Sequence, residues 1–199
     1  MQPGTKIEPE RVVAETKAWL ERAVIGLNLC PFAKGVHARG QIRYVVSVAT
    51  EELALLAALL DEFETLARAD PEVLDTTLLI HPRMLADFNA FNQFLGNAEE
   101  ALARAGHEGV FQLASFHPQY QFAGTSPKDV TNASNRSPYP MLHILREASV
   151  ERAVAAFPDA QSIYERNLAT LRSLGTRNWR LLMQKCRDDA LEPGGAPEG

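Results

Sequence analysis

The sequence has few of the features that mark secreted, membrane-spanning or nucleic-acid-binding proteins. Only two of its 199 residues are cysteines, Cys30 and Cys186, far below the disulfide density of small secreted domains. Its longest uninterrupted apolar run extends from Leu53 to Leu60 and is much shorter than the roughly 20 residues of a membrane-spanning helix. Acidic residues outnumber basic ones by 25 to 20, so the net charge is −5, which disfavours a strong phosphate-backbone binder. We therefore expect neither a membrane nor a nucleic acid as partner.

The composition is that of an ordinary globular domain. Hydrophobic residues make up 46% of the chain and charged residues 23%, enough to bury a core without disulfides. At roughly 100 to 200 residues per domain, we expect one domain over residues 10–190, with flexible termini at 1–9 and 191–199 because these are rich in Pro, Gly and charge. The charged N-terminal residues lack the apolar stretch of a secretory signal. We expect a cytoplasmic protein with reduced cysteines; spacing alone leaves a disulfide between them open.

Helical and strand patterns alternate from the N-terminus to residue 116. Apolar residues recur every three or four positions in three segments, and three others alternate or are continuously β-prone. The predicted helices cover residues 10–29, 51–69 and 83–106, and the predicted strands cover 41–49, 76–80 and 110–116. This order implies right-handed crossovers. The fold class we expect is α/β, with a small, mainly parallel sheet of about three or four strands, flanking helices and a helical C-terminal region. A ferredoxin-like α+β arrangement is the alternative.

A long segment without periodicity, residues 117–140, follows the third strand. Loops longer than about 12 to 15 residues are uncommon in compact domains and are usually functional or disordered. Tyr120, Phe122 and Tyr139 in this segment argue against simple disorder. Beyond it, the pattern predicts helices over residues 141–148, 150–157, 160–174 and 178–187.

Two histidines lie where predicted strands end. His81 follows the second strand and His117 follows the third, and each precedes a proline, as Cys30 also does. A residue before proline is held in an extended backbone, so the directions of these side chains are restricted. If the two strands are parallel, both histidines lie at the carboxyl edge of the sheet, where open α/β sheets bind ligands.

A third histidine completes a candidate metal site. His143 and Glu147 are four residues apart, so on the predicted helix they would share one face. Together with His81 and His117 they would supply three nitrogens and one oxygen, a set that suits zinc or iron with an open position for water or substrate. The alternative is structural: the strand-end histidines cap backbone groups, and His143 and Glu147 form a surface pair.

The end of the long segment suggests an anion site. Its polar residues precede the predicted helix at 141–148, so backbone amides, the helix dipole and the Arg136 guanidinium could converge on a phosphate or carboxylate. Asn132, Asn135 and Tyr120 are the other candidate substrate-binding residues. The alternative is that these side chains only satisfy the loop backbone through local turns.

Cys30 is the candidate nucleophile. It lies at the end of the first predicted helix, where the helix dipole raises the pKa of a thiol. This placement favours a buried small hydrophobe, and acyl-transfer chemistry would need Cys30 within reach of His81 or His117.

Three segments, GLNLCPFAK from Gly26, SFHPQYQFAGT from Ser115 and NRSPYPMLHILRE from Asn135, together resemble the bacterial and plant family called domain of unknown function 1415. The resemblance covers most of the chain and implies a free-standing protein. It assigns no role to any residue.

These patterns lead to a functional hypothesis. We expect an enzyme, a hydrolase or an oxidoreductase, that acts on a small anionic substrate at the carboxyl edge, with a divalent metal, zinc or iron, as cofactor. His81, His117 and His143 would hold the metal or act as acid and base. The alternative is a non-catalytic binding module for a phosphorylated metabolite or a nucleotide. The sequence does not assign an oligomeric state.

Overall fold

In the computed structural model, residues 8–156 and 162–191 are described, and they form a four-stranded sheet with helices on both faces. The strands are β1 (Ile42–Val46), β2 (Thr76–Ile80), β3 (Phe111–Phe116) and β4 (Met141–Arg146), and the helices are α1 (Pro9–Trp19), α2 (Ala33–Ala38), α3 (Glu52–Arg68), α4 (Phe88–Arg104), α5 (Glu147–Ala155) and α6 (Ser162–Asp189). A π-helix, Leu20–Ile25, continues α1, and a 3-10 helix, Val130–Asn135, lies in the loop before β4. The termini predicted to be flexible fall mostly outside the described residues, as do the end of the predicted helix 150–157 and the start of 160–174.

The three strands and three helices predicted up to residue 116 are present, but the first helix ends at Ile25 rather than at residue 29 and α4 begins at Phe88 rather than at residue 83. Helix α2 was not predicted. Each predicted strand is present, and α4 begins where the Asp87 carboxylate accepts a hydrogen bond from the Ala90 amide at 2.9 Å, which satisfies one of the unpaired N–H groups of its first turn. The two helices predicted near the C-terminus are joined in α6, with a break at Gly175, whose φ is 75°. Only glycine adopts that backbone without strain, so the sequence marks the break correctly.

The sheet is mixed, and the expectation of a mainly parallel sheet is not confirmed. The strand order is β1-β2-β4-β3, in which β1 and β2 are parallel and β4 is antiparallel to both of its neighbours. Because β2 and β3 are both antiparallel to β4, the strands β1, β2 and β3 still point the same way. Their common end is called the carboxyl edge below.

The predicted helix over residues 141–148 is wrong. Residues 141–146 form β4, and α5 begins only at Glu147. A short apolar run has too few residues for its period to separate strand from helix, and here both sides of the run pair with neighbouring strands. His143 therefore lies on a strand, so it does not share a helix face with Glu147.

The sheet separates two apolar clusters. One contains α3 and α4, with Leu55, Leu59 and Phe91 fully buried against Leu79 of β2. The other contains α1, the π-helix and α6 on the opposite face. Side chains alternate between the faces along each strand, so residues 79 and 81 belong to the α3/α4 face and residues 76 and 78 to the α1/α6 face. Among the described helices, none is both long and apolar enough to cross a bilayer.

The π-helix closes tightly at Gly26. Its amide donates to the Glu21 carbonyl at 2.9 Å, and a Cβ added at Gly26 would lie 2.3 Å from the Arg22 carbonyl oxygen. That oxygen belongs to the backbone and has little room to move. Gly96, within α4, has no heavy atom within 4 Å of the same position.

We expect Gly26→Ala to lower the free energy of unfolding by roughly 1 to 3 kcal/mol, because the new methyl group overlaps backbone. Gly96→Ala is the matched control and should raise that free energy by up to about 1 kcal/mol through helix propensity. Urea unfolding of both variants measures the two effects. Equal stability of Gly26→Ala and the wild type would show that the π-helix does not need the close approach.

Candidate functional site at the carboxyl edge of the sheet

The structure brings His81 and His117 to the same edge and the same face of the sheet. His81 follows β2 and donates its amide to the Pro140 carbonyl, and His117 follows β3 and donates its amide to the Asn135 carbonyl. Both side chains are fully buried. Their rings contact the same phenyl ring, that of Phe91, with centroid distances of 5.7 Å and 5.1 Å. One strand, β4, lies between them in the sheet, which corresponds to about 10 Å between the strands.

His117 has both ring nitrogens hydrogen-bonded. Its Nδ1 accepts from the Gln119 amide at 3.0 Å, so Nε2 carries the proton and donates to the Leu85 carbonyl at 3.0 Å. Burial is the main cause that lowers the pKa of this imidazole, and the hydrogen bond to Leu85 opposes it. His117 is thus a neutral side chain that ties the loop after β2 to the loop after β3.

His81 differs in having a nitrogen without a partner. Its Nδ1 lies 3.4 Å from the Met84 carbonyl oxygen, which assigns the proton to Nδ1. Within the described part of the chain, the buried Nε2 has no hydrogen-bond partner. Burial lowers the pKa of His81 to about 4, helped to a lesser extent by the nearby His117. At neutral pH, Nε2 is therefore an unprotonated acceptor.

The segment that both histidines hold has a strained backbone. Met84 and Leu85 provide the carbonyls that face the two imidazoles, and Leu85 has a φ of 56°. A leucine in this left-handed region costs roughly 1 to 3 kcal/mol, and such strain is found preferentially at functional sites. The loop before α4 is therefore kept in place by the two imidazoles.

His143 lies on the opposite face of the sheet. It pairs across the sheet with Leu78 in the α1/α6 cluster. The Thr76 hydroxyl donates to the Ile144 carbonyl at 2.5 Å, so it accepts from Nε2–H of His143 at 2.7 Å. Burial lowers the pKa of His143 to about 4. The ring has a structural hydrogen bond and is separated from His81 by the sheet.

The predicted ligand set of His81, His117, His143 and Glu147 does not come together. Glu147 follows the end of β4. Because β4 is antiparallel to its neighbours, Glu147 lies at the edge of the sheet opposite His81. In residues 8–156 and 162–191, no group of three or more His, Cys, Asp or Glu side chains has a metal-binding arrangement. Zinc or iron as a cofactor stays a prediction, and of the histidines at the edge only His81 has an available ring nitrogen.

Arg136, the predicted anion-binding residue, is used by the loop itself. Its Nε donates to the Tyr120 carbonyl at 3.1 Å, and one terminal nitrogen donates to the Pro127 carbonyl at 2.8 Å. Burial lowers the pKa of the guanidinium, against the opposing effect of Asp129. Arg136 therefore joins two parts of the long loop, with its other terminal nitrogen as the donor left for a ligand.

The remaining loop candidates also bond within the loop. The Asn132 side chain is buried; its oxygen accepts from the Phe122 amide and the Thr125 hydroxyl, and its nitrogen donates to the Ser126 carbonyl. Asn135 donates its side-chain N–H to the Ser115 carbonyl at 3.2 Å. These bonds match the alternative that the amides satisfy the loop backbone.

The thiol of Cys30 packs against apolar side chains. It is partly buried against the α1/α6 cluster. Burial raises its pKa, although the Phe32 and Ala33 amides act in the other direction. Cys30 is therefore a thiol at neutral pH because of burial, since the helix that was predicted to end beside it ends at Ile25. It lies in the cluster on the other face of the sheet from His81.

Sequence reasoning missed the aromatic rings that surround the histidines. Phe88 lies 5.4 Å from the His117 ring and 5.1 Å from the Tyr120 ring, and Tyr120 lies 5.0 Å from Phe122, measured between centroids. Phe88 and Phe91 are three residues apart on α4, a spacing that is typical of any core-facing helix. The sequence therefore held no signal that they meet imidazoles.

Comparison with known proteins places the chain in a family. The family model described as "Protein of unknown function (DUF1415)" matches residues 11–181. The search of curated proteins found no match, and neither did the search of solved structures.

The two strand-end histidines should respond unequally to the same substitution. His117→Phe leaves the Gln119 amide and the Leu85 carbonyl without a partner and should lower the free energy of unfolding by roughly 1 to 3 kcal/mol or more. His81→Phe removes the unpartnered Nε2 and only the long 3.4 Å contact with the Met84 carbonyl oxygen, so it should lower that free energy by less than His117→Phe. Urea unfolding of both variants gives the comparison. A larger loss for His81→Phe would contradict the assignment.

Stability should also depend on pH through the buried imidazoles. An unfolded histidine has a pKa near 6.5, whereas that of folded His81 is about 4, so between these values the unfolded chain binds more protons. We expect the free energy of unfolding to be highest above pH 6.5 and to fall as the pH is lowered toward 4. His81→Phe should show a smaller fall than the wild type over this window. Identical pH profiles would rule out a lowered pKa for His81.

Proposed function

The chain belongs to that family of proteins of unknown function, and we propose that it is an enzyme whose small-molecule substrate meets His81 at the carboxyl edge of the sheet. The observation that carries the proposal is the buried, unpartnered Nε2 of His81. An unsatisfied buried polar atom costs roughly 1 to 3 kcal/mol, and in native proteins such an atom calls for an explanation. A ligand that donates a hydrogen bond to Nε2 would remove the cost.

Its surroundings define what His81 can do. The neighbouring imidazole of His117 is already bonded at both nitrogens, and Phe91 packs against both rings. Few water molecules can compete in such an apolar setting, so a hydrogen bond formed there is stronger than in solution. The position at the ends of β2 and β3 is one where sheets of this class place ligands.

Proton abstraction is the chemistry that this arrangement supports. At neutral pH, Nε2 is unprotonated because burial lowers the pKa to about 4, so the base is always in its active form. The Met84 carbonyl near Nδ1 favours the protonated ring once Nε2 has taken a proton. A substrate that becomes negatively charged as it loses that proton would offset the cost of a buried imidazolium. His81 is thus assigned as general base.

The strained backbone at Leu85 supports a site whose loop changes conformation when substrate binds. The strained segment lies between His81 and the cap of α4, and its conformation depends on hydrogen bonds from the two imidazoles. A substrate that binds Nε2 would act directly on one of them. We propose that the loop from Pro82 to Asp87 adjusts when substrate binds.

The test uses matched pairs of small molecules, each a metabolite and its phosphorylated form, such as adenosine and AMP or ribose and ribose 5-phosphate. A ligand at 100 times its Kd stabilises a protein by about 2.7 kcal/mol, which for a chain of this size raises Tm by roughly 5 to 10 °C. We expect a stabilising ligand to lose its effect in His81→Phe and to keep it in Lys128→Ala, a matched exposed control in the long loop.

The alternative, a non-catalytic module for a phosphorylated metabolite or nucleotide, gives a different pattern. Stabilisation would then need the phosphate, would persist in His81→Phe and would be lost in Arg136→Ala. That result would contradict a ligand-binding role of His81. Zinc or iron that copurifies with the untagged wild type and is absent from His81→Phe would instead support the metal-dependent form of the enzyme.

A further inference from the structure

An apolar groove runs between α3 and α4 on the side that faces away from the sheet. Its volume is about 510 Å³, and Leu53, Leu56 and Leu60 line it from α3, with Ala101 opposite on α4. Leu53 is 80% exposed and Leu60 is 38% exposed. The charged residues that line it, Glu100 and Arg104, form an ion pair with each other at 2.6 Å. Contiguous exposed apolar surface of this kind on a folded domain is typical of an interaction site.

The groove is not a requirement of the fold. Leu55, Leu59, Phe63 and Leu66 form a separate stripe of α3 that is completely buried in the core. The outer leucines form a second apolar stripe on the same helix. Leu56 packs partly against the core, whereas Leu53 and Leu60 are exposed, and a helix that packs on one side has no structural need for these two. A partner that covers this stripe would remove it from water.

The charge of the groove helices restricts the partner. The exposed charged residues of α3 and α4 comprise five acidic and two basic side chains, for a formal charge of −3; they are Glu52, Asp61, Glu64, Glu99, Glu100, Arg68 and Arg104. The same face of a second copy would bring a like charge against it, which disfavours a groove-to-groove dimer. A basic helix is the complementary partner.

Helix α6 supplies such a surface on the opposite side of the molecule. It carries six basic and three acidic residues, a formal charge of +3. Trp179 and Cys186 are buried against the α1/α6 cluster, so the outward face presents Arg177, Leu181 and Lys185, spaced by four residues along one side of the helix. Leu181 is 59% exposed.

We propose that the groove between α3 and α4 binds the outward face of α6 from a second copy of this chain. Leu181 would enter between Leu53 and Leu60, and Arg177 and Lys185 would lie near the acidic residues of the groove helices. An exposed leucine between two cations would meet an apolar groove on helices of net negative charge, so apolar surface and charge are complementary.

The geometry makes this contact head-to-tail. The groove and the α6 face lie on opposite sides of the sheet, so each copy offers one of each and a two-fold pair cannot satisfy both. Such heterologous contacts extend into rings or chains of copies. The expected assembly therefore grows with protein concentration and weakens with salt, because the charged part of the contact is exposed to solvent.

The test measures sedimentation of the full chain and of two variants. Leu53→Glu disables the groove and Leu181→Glu disables the α6 face, and both sites are exposed enough for the fold to tolerate the change. Val73→Glu is the matched control, since Val73 is 70% exposed and lies outside both surfaces. Circular dichroism of all three variants verifies that each is folded.

We expect the wild type and Val73→Glu to form concentration-dependent species larger than a dimer, with at least about tenfold weaker association when NaCl is raised from about 0.05 M to about 0.5 M. Each leucine variant alone should be monomeric. A mixture of the two should give a 1:1 dimer, because each retains the surface that the other lacks.

Other outcomes would overturn the proposal. A wild type that is monomeric at low salt and high protein concentration would leave no self-association to explain. Association of Leu181→Glu alone, without association of Leu53→Glu, would indicate a groove-to-groove contact. Association of both variants would place the interface on another surface, and a mixture without a dimer would exclude the pairing of groove and α6.

Discussion

Strand β4 enters the sheet between β2 and β3 and runs against both, and the rest of the structure depends on that insertion. Its backbone pairs with β3 over residues 141–146 and with β2 over residues 141–145, which satisfies groups that would otherwise be buried without partners. It separates β2 from β3 by one strand, yet leaves their ends at the same edge. The strand also brings Pro140 beside His81, and the segment before it brings Asn135 beside His117, so that both histidine backbones are held by the loop that leads into β4.

The chemical character of the site follows from where hydrogen bonds are satisfied and where one is missing. Burial lowers the pKa of His81, His117 and His143, and His117 and His143 offset its cost by bonding to backbone groups or to a threonine. The His81 ring offsets the cost of burial only at Nδ1, through a long contact with the Met84 carbonyl oxygen. The same burial that makes the ring a poor holder of positive charge keeps its Nε2 lone pair available. At the carboxyl edge, one missing partner rather than the number of histidines distinguishes the site; among the described residues, other buried atoms without a hydrogen-bond partner, such as Nε2 of His107, lie elsewhere.

The sheet also divides the surface of the protein. The helices on its two faces are amphipathic, but their outward sides differ in charge: α3 and α4 are acidic and α6 is basic. The net charge of −5 for the chain hides this difference because it averages over both faces. In the long loop, Arg136 and Asn132 hold the loop itself together. Its order therefore has an internal explanation, and a bound anion is not needed for it.

The sequence by itself determined the three strands and the three longer helices up to residue 116, the glycine break in α6 and the placement of His81 and His117 at strand ends, because each depends on local periodicity or on glycine and proline backbone preferences. The sequence favoured a packing role for Cys30 from a helix end that the structure places earlier, at Ile25; the burial that raises the pKa of the thiol comes from tertiary contacts. Only the tertiary structure decided that residues 141–146 form a strand, since a short apolar run adopts whichever conformation satisfies its backbone against neighbours. That decision moved His143 to the other face and Glu147 to the other edge. Which imidazole nitrogen lacks a partner was likewise decided by contacts between residues distant in the chain, and no local pattern encodes such contacts.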